Sequence, residues 1–203
     1  GLNSEGLVHM TDLYCKWCNA VIEKVLAEFP GRDIKFGIIA FREMNDPPRE
    51  PGLKFHESVV PYITKDRMAW IDPEQEAQGH NLTLSWKARC SQLGWYGYDY
   101  GIVYSVPRMY NKKTQEYLQF ALANGVKYHF SESQFTIAEG PKPYIFGRLY
   151  WDPHCSLQDW ENRWYRKAVG LQAAPHLASF YKLWEEIWTV DIPKGSWFQK
   201  FKK

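Results

Sequence analysis

No stretch of the 203-residue sequence approaches the roughly 20 consecutive apolar residues that a membrane-spanning helix needs, so no membrane partner is expected. No long block of one charge is present either. The sequence has 25 Lys and Arg against 23 Asp and Glu, and only the stretch from Lys200 to Lys203 is locally basic. A duplex-binding protein carries a basic face or stripe, so nucleic acid is not an expected partner. No glycine-rich phosphate loop follows any strand-like run, which removes support for a nucleotide fold. The first residues, Gly1-Leu2-Asn3-Ser4-Glu5, lack the basic region and apolar core of a secretory signal, and the compartment is left open. Cysteine is scarce, with four residues in all. Cys15-Lys16-Trp17-Cys18 has redox or zinc spacing, but it sits inside a helical pattern. No second close pair of Cys or His supplies the other ligands of a closed zinc site, so no metal or cofactor is expected.

What the sequence has in excess is aromatic residues: 10 Trp, 13 Tyr and 11 Phe, or 17% of the chain. Many must be core, because large rings dominate burial energetics. Ten tryptophans exceed what packing alone usually requires, and sugar-binding clefts use such rings against the C–H face of a pyranose.

Along the chain, Leu13, Trp17, Val21, Val25 and Phe29 recur at i, i+4 spacing, which predicts one buried stripe of an amphipathic helix ending at Pro30-Gly31. Strands are expected at 34–41, 58–64, near 94–101 and at 126–133, each a short apolar or aromatic run between turn signals. Residues 72–80 read as polar and irregular, with helices at 82–93 and 112–124. Alternation of this kind argues for a parallel α/β sheet. Several strands end in a charged or hydroxyl residue, as they do on the active face of a (β/α)8 barrel. A complete barrel takes about 250 residues and eight strands. The expected architecture is therefore a partial (β/α) barrel of about four strands, half of a TIM barrel, followed by a C-terminal α-helical segment. The boundaries are 1–148 for the half-barrel, 149–190 for the helical segment and 191–203 for a mobile C-terminal tail. Within the helical segment, Trp160, Trp164, Trp184 and Trp188 have helix spacing and read as packing residues.

Three segments carry a family resemblance. They are the Asn19-containing helix with Gly37-Ile38-Ile39-Ala40-Phe41 and Pro47-Pro48; Tyr98-Asp99-Tyr100-Gly101 with Pro107-Arg108; and Leu149-Tyr150-Trp151-Asp152-Pro153 with the stretch from Trp160 to Gly170. Together they resemble the C-terminal half of a bacterial domain-of-unknown-function family grouped with TIM-barrel glycoside hydrolases, over roughly residues 10–190. The resemblance implies a barrel next to a helical segment, a role with polysaccharide or glycoside, and a secreted or periplasmic setting. It brings no catalytic residues. It also implies a preceding barrel half, so self-association or pairing with that N-terminal half is an expected partnership.

Glycoside hydrolysis needs two carboxyl groups flanking the scissile bond. The strand-end acids are Glu43, Asp66, Asp99 and Glu132. Glu132 follows the fourth strand directly and Asp99 lies between Tyr98 and Tyr100, so these two are the expected catalytic pair, whereas Asp66 reads as a solvated or paired loop acid. Arg42 and Arg108 offer guanidinium forks that could hold an acidic sugar or orient a catalytic acid, against the commoner structural ion pair. His129 is a shuttle candidate that reads more simply as a hydrogen-bonded barrel histidine. Trp95, Tyr96, Tyr98, Tyr100, Tyr104 and Tyr110 form the densest aromatic cluster outside the helices. The expected substrate contacts are thus Arg42, Glu43, Trp95, Tyr98, Tyr100, Arg108 and His129. The expected function is a carbohydrate-active, glycoside-hydrolase-like protein, the alternative being a sugar-binding module or a barrel fragment whose catalytic half is missing.

Overall fold

The computed structural model describes residues 1–99, 106–133 and 139–201. The elements run α1 (Thr11–Glu28), β1 (Phe36–Ala40), β2 (Val59–Thr64), α2 (Pro73–Lys87), β3 (Leu93–Tyr98), α3 (Asn111–Ala123), β4 (Val126–Glu132), α4 (Lys142–Trp151), α5 (Leu157–Glu186) and α6 (Ser196–Phe201). The fold is mixed α/β: a parallel sheet in the order β1-β2-β3-β4, followed by a C-terminal helical segment. The chain divides into two compact units. The first is Gly1–Lys65, Gln78–Gly97 and Ala123–Ser131; the second is Asp66–Ala77, Tyr98–Leu122 and Glu132–Lys203.

The first unit holds most of the sheet. In register, Ile39 of β1 stands beside Tyr62 of β2, and Tyr62 beside Gly94 of β3. Side chains alternate across a sheet, and β1 shows it: Ile38 and Ala40 are buried while Gly37 and Ile39 are exposed. The buried side also takes in Val59, Ile63, Leu93 and Trp95.

The face that α1 buries is not the expected stripe. Leu13, Trp17, Val21 and Phe29 are exposed, and Thr11, Cys15, Cys18 and Ile22 are buried instead. Helix geometry explains the difference. A repeat of four advances about 40° per step at 100° per residue, so an i, i+4 series winds around the helix, whereas the 4-3-4 spacing of Thr11, Cys15, Cys18 and Ile22 stays on one line. Residues 72–80, expected to be irregular, are largely helical. Asp72 caps α2 by accepting the Glu74 and Gln75 N–H groups at 3.2 and 3.1 Å, and Pro73 opens it where a missing N–H costs nothing. The polar composition hid this start.

The buried Cys pair makes a testable statement. Burial, with Cys18 and Asp12 nearby, pushes the Cys15 thiol up to about 12, and burial does the same to Cys90. A raised pKa means that the folded state keeps a proton the unfolded chain sheds. The resulting stabilisation is full below the free-thiol pKa of about 8.5 and is lost as pH rises toward 12. The denaturation midpoint is therefore expected to fall above pH 9, and Cys15→Ala to flatten that fall. An unchanged slope in the variant would refute the assignment.

In the second unit, α5 contains a break at Gly170, which has φ 78° and ψ 170°. Gly170 thus marks a kink between two helices. Trp164 and Trp184 pack on the cluster of Met109, Tyr165, Ala174 and Tyr181, and Trp188 is itself buried. The expected mobile tail is corrected over 192–201. Ile192–Lys194 forms a 3-10 turn, α6 follows, and Phe198 is buried among Met68, Tyr110, Phe146 and Trp188. The completely buried Phe198 ring supplies the burial that holds so short a helix in place.

Candidate functional site

At or just beyond the ends of β2, β3 and β4 stand Asp66, Asp99 and Glu132, which belong to the second unit. Asp66 caps the 3-10 turn Arg67–Ile71, its Oδ1 accepting the Met68 N–H at 3.1 Å. Its Oδ2 accepts from Arg108 Nη1 at 2.9 Å. Arg108 is 1% exposed. It also donates to the Tyr98 carbonyl and to the Tyr110 hydroxyl, the latter at 3.2 Å, and its guanidinium lies 5.3 Å from the centre of the Tyr110 ring. The fork that could grip a substrate carboxylate is engaged with the protein, tying Asp66, two residues beyond β2, to the end of β3.

Asp99 accepts a hydrogen bond at Oδ2 from the Tyr150 phenol of α4. Arg67 lies within electrostatic reach: burial works against its charge, while Tyr150, Asp99, Tyr110 and Asp66 support it. Such a guanidinium stays protonated. A second buried pair joins Lys142, at the start of α4, to Glu139. Burial pushes the Lys142 ammonium down to about 8, with Glu139 opposing most strongly.

Strand register decides how Asp99 and Glu132 face. In the β1–β2 ladder, Phe36 stands opposite Val59 and its N–H bonds the Ser58 carbonyl, one residue earlier. The Asp99 N–H bonds the Glu132 carbonyl at 2.9 Å. By the same rule Asp99 stands opposite Ser133, and Glu132 stands opposite Tyr98. Alternation then puts Glu132 and Tyr98 on one side of the neighbouring strand ends and Asp99 on the other. The two acids are backbone neighbours whose side chains diverge.

The other expected contacts are scattered. In the first unit, Arg42 follows β1 with a left-handed φ of 53°, its carbonyl accepting from Asn3 Nδ2 at 2.5 Å. Arg42 Nε lies 3.7 Å from Glu43 Oε2, and both side chains are solvent-facing. Trp95 is completely buried, so it packs the core and lines no cleft. His129 is half-buried on β4. Tyr100 and Tyr104 lie outside the described residues. Among the described residues, no group of three or more His, Cys, Asp or Glu is arranged to hold a metal ion.

Burial also raises the carboxyls of Glu161 and Glu185 on α5. Glu185 accepts the Lys112 N–H at 2.8 Å and Glu161 accepts from Asn111 Nδ2 at 2.8 Å. Both acids thus serve the start of α3, where unpaired N–H groups and the helix dipole favour negative charge. Sequence reasoning did not single out Arg67, Lys142, Glu139 or Tyr150 as parts of the cluster. For Arg67 the signal was its place directly after Asp66; for Tyr150, inside an aromatic helix, there was none.

Residues 2–182 match the model of a family described as Domain of unknown function (DUF4838). No curated protein and no solved structure matches the chain.

Proposed function

The chain belongs to the family described as Domain of unknown function (DUF4838), and from that premise we propose that it binds carbohydrate at the ends of β3 and β4. The family name specifies no substrate, so the reading rests on the site. Its carrying observation is that the register turns Glu132 and Tyr98 to the same side of adjacent strand ends. A carboxylate accepts two sugar hydroxyls, and a neighbouring phenol ring offers an apolar plane and a hydroxyl of its own. Asp66, Arg108, Asp99 and Tyr150 brace the strand ends from within.

Hydrolysis is the second reading, and the adjacency of Asp99 and Glu132 favours it. An acid pair flanks one scissile bond at about 5–5.5 Å for retention or 6.5–9.5 Å for inversion, and side chains turned to opposite sides of the strand ends do not flank a common bond. Binding without turnover is the reading we prefer. We also read the four-stranded sheet as part of a barrel whose remaining strands come from further polypeptide or from a second copy.

A glycan array with product analysis tests both readings. Binding without product is expected, weakened by about tenfold or more in Glu132→Gln, the worth of a charge-assisted hydrogen bond. Product released by the wild type and lost in both Glu132→Gln and Asp99→Asn would establish hydrolysis instead. No binding to any glycan would remove the carbohydrate reading.

A further inference from the structure

Two arginines of the second unit share one indole and no acid. The Arg148 guanidinium, on α4, lies 4.3 Å from the centre of the Trp160 ring, and the Arg163 guanidinium, on α5, lies 5.1 Å from it. Both side chains are exposed. Acids stand close in sequence. Asp159 is four residues before Arg163 in α5, the spacing of a helix-surface ion pair, and Asp152 directly follows α4. Yet among the described residues neither guanidinium is paired with a carboxylate. Asp152 instead accepts the His154 N–H at 2.9 Å, and Asp159 lies in the first turn of α5, where the helix dipole favours it.

The shared indole is itself fixed. Trp160 meets Tyr144 edge to face at 5.9 Å, and both rings pack against the cluster of Leu118, Ile145 and Leu149. Arg148 lies 5.3 Å from the centre of the Tyr144 ring as well. A cation–π contact orients a guanidinium without engaging its N–H fork with an acceptor, so both forks are held in place and free to take an anion. Trp151 stands three residues from Arg148, on the same side of α4, and it is 93% exposed. Tryptophan is highly buried on average. An indole left in water beside two unpaired cations makes a surface that a ligand with both an apolar plane and a negative charge would complete.

The geometry points to an acidic glycan as that ligand: the Trp151 indole takes the C–H face of a uronate ring, the Arg148 fork takes its carboxylate, and Arg163 takes that of a neighbouring residue. A guanidinium matches a planar carboxylate through two parallel N–H bonds, and Lys167, exposed one turn beyond Arg163 on α5, adds charge of the same sign. The anion site stands on this geometry alone; that a sugar bears the anion rests on the carbohydrate reading. Nucleic acid is the weaker fit. Its binding grows with the number of phosphates neutralised, and the chain's net charge is only +2.

Titration calorimetry of the full chain with hexagalacturonate, at low and at high salt, tests it. Binding that weakens as salt rises is expected. Trp151→Ala should weaken it by about tenfold, the scale of a lost ring contact, and the double variant Arg148→Gln, Arg163→Gln by about tenfold or more. These side chains are exposed, so circular dichroism should show an intact fold in both variants. Unchanged binding in Trp151→Ala would overturn the stacking, and unchanged binding in the arginine double variant would overturn the site. Oligoglutamate or single-stranded DNA bound as tightly as hexagalacturonate would overturn the sugar assignment. No binding of hexagalacturonate would overturn the whole proposal, and a neutral glycan whose binding is weakened in Glu132→Gln would then leave the carbohydrate reading standing. Hexagalacturonate bound through Trp151 and the arginines, with no glycan weakened by Glu132→Gln, would uphold this site and remove the one at the strand ends.

Discussion

Arg108→Ala is expected to cost about 3–5 kcal/mol of folding stability, the scale for removing one partner of a buried ion pair. The guanidinium is almost wholly enclosed and serves Asp66, the Tyr98 carbonyl and the Tyr110 hydroxyl together. Alanine would leave the Asp66 carboxylate without its paired guanidinium, only the Met68 N–H still bonding it, and the Tyr98 carbonyl without this donor. Lysine would fare little better, since a point charge cannot reproduce the fork. A urea midpoint far below wild type, with Asp66→Asn adding little on top of Arg108→Ala, is the expected result. Wild-type stability combined with lost glycan binding would instead make Arg108 a ligand contact, as its place after an aromatic segment suggested. The pair is partly open at Asp66, whose side chain is 22% exposed, so the lower end of the range is the better expectation.

The strands were legible because each is a short apolar run bounded by turn residues, and Asn124-Gly125 marked the end of α3, with Gly125 at φ 84°. Less legible was which face of an element is buried. In α1 the more hydrophobic series lies outside, because drift around the helix separates residues that a count of four appears to align. In Gly94-Trp95-Tyr96-Gly97 the rings alternate sides, and nothing local distinguishes the core ring, Trp95, from its half-buried neighbour, Tyr96. Asp99 and Glu132 do stand at neighbouring strand ends, but their facing depends on a cross-strand register that no local pattern encodes. The seat of the Tyr62 ring was illegible for the same reason: Gly37 and Gly94 lie far from it in sequence, and only the pairing of three strands sets it between them.

Phe198→Ala is expected to cost about 3–5 kcal/mol as well, the usual range for emptying a fully enclosed aromatic site. The prediction is sharp because Phe198 lies in a stretch whose composition reads as a tail. Its ring is completely buried against Met68, Tyr110, Phe146 and Trp188, and Trp188 is anchored through its indole N–H to the Pro107 carbonyl. Tyr110 in that cluster is also the ring over which the Arg108 guanidinium rests, and Tyr150, which holds Asp99, packs at the cluster's margin. A cavity at Phe198 should therefore loosen the braced strand ends. Trp197 is 45% exposed, and Trp197→Ala should cost only about 1 kcal/mol, the worth of its edge contacts with Trp188 and Phe198. Truncation after Gly195 should match Phe198→Ala rather than Trp197→Ala in a denaturation series. Wild-type midpoints for both Phe198→Ala and the truncation would show that the second unit's core closes without α6.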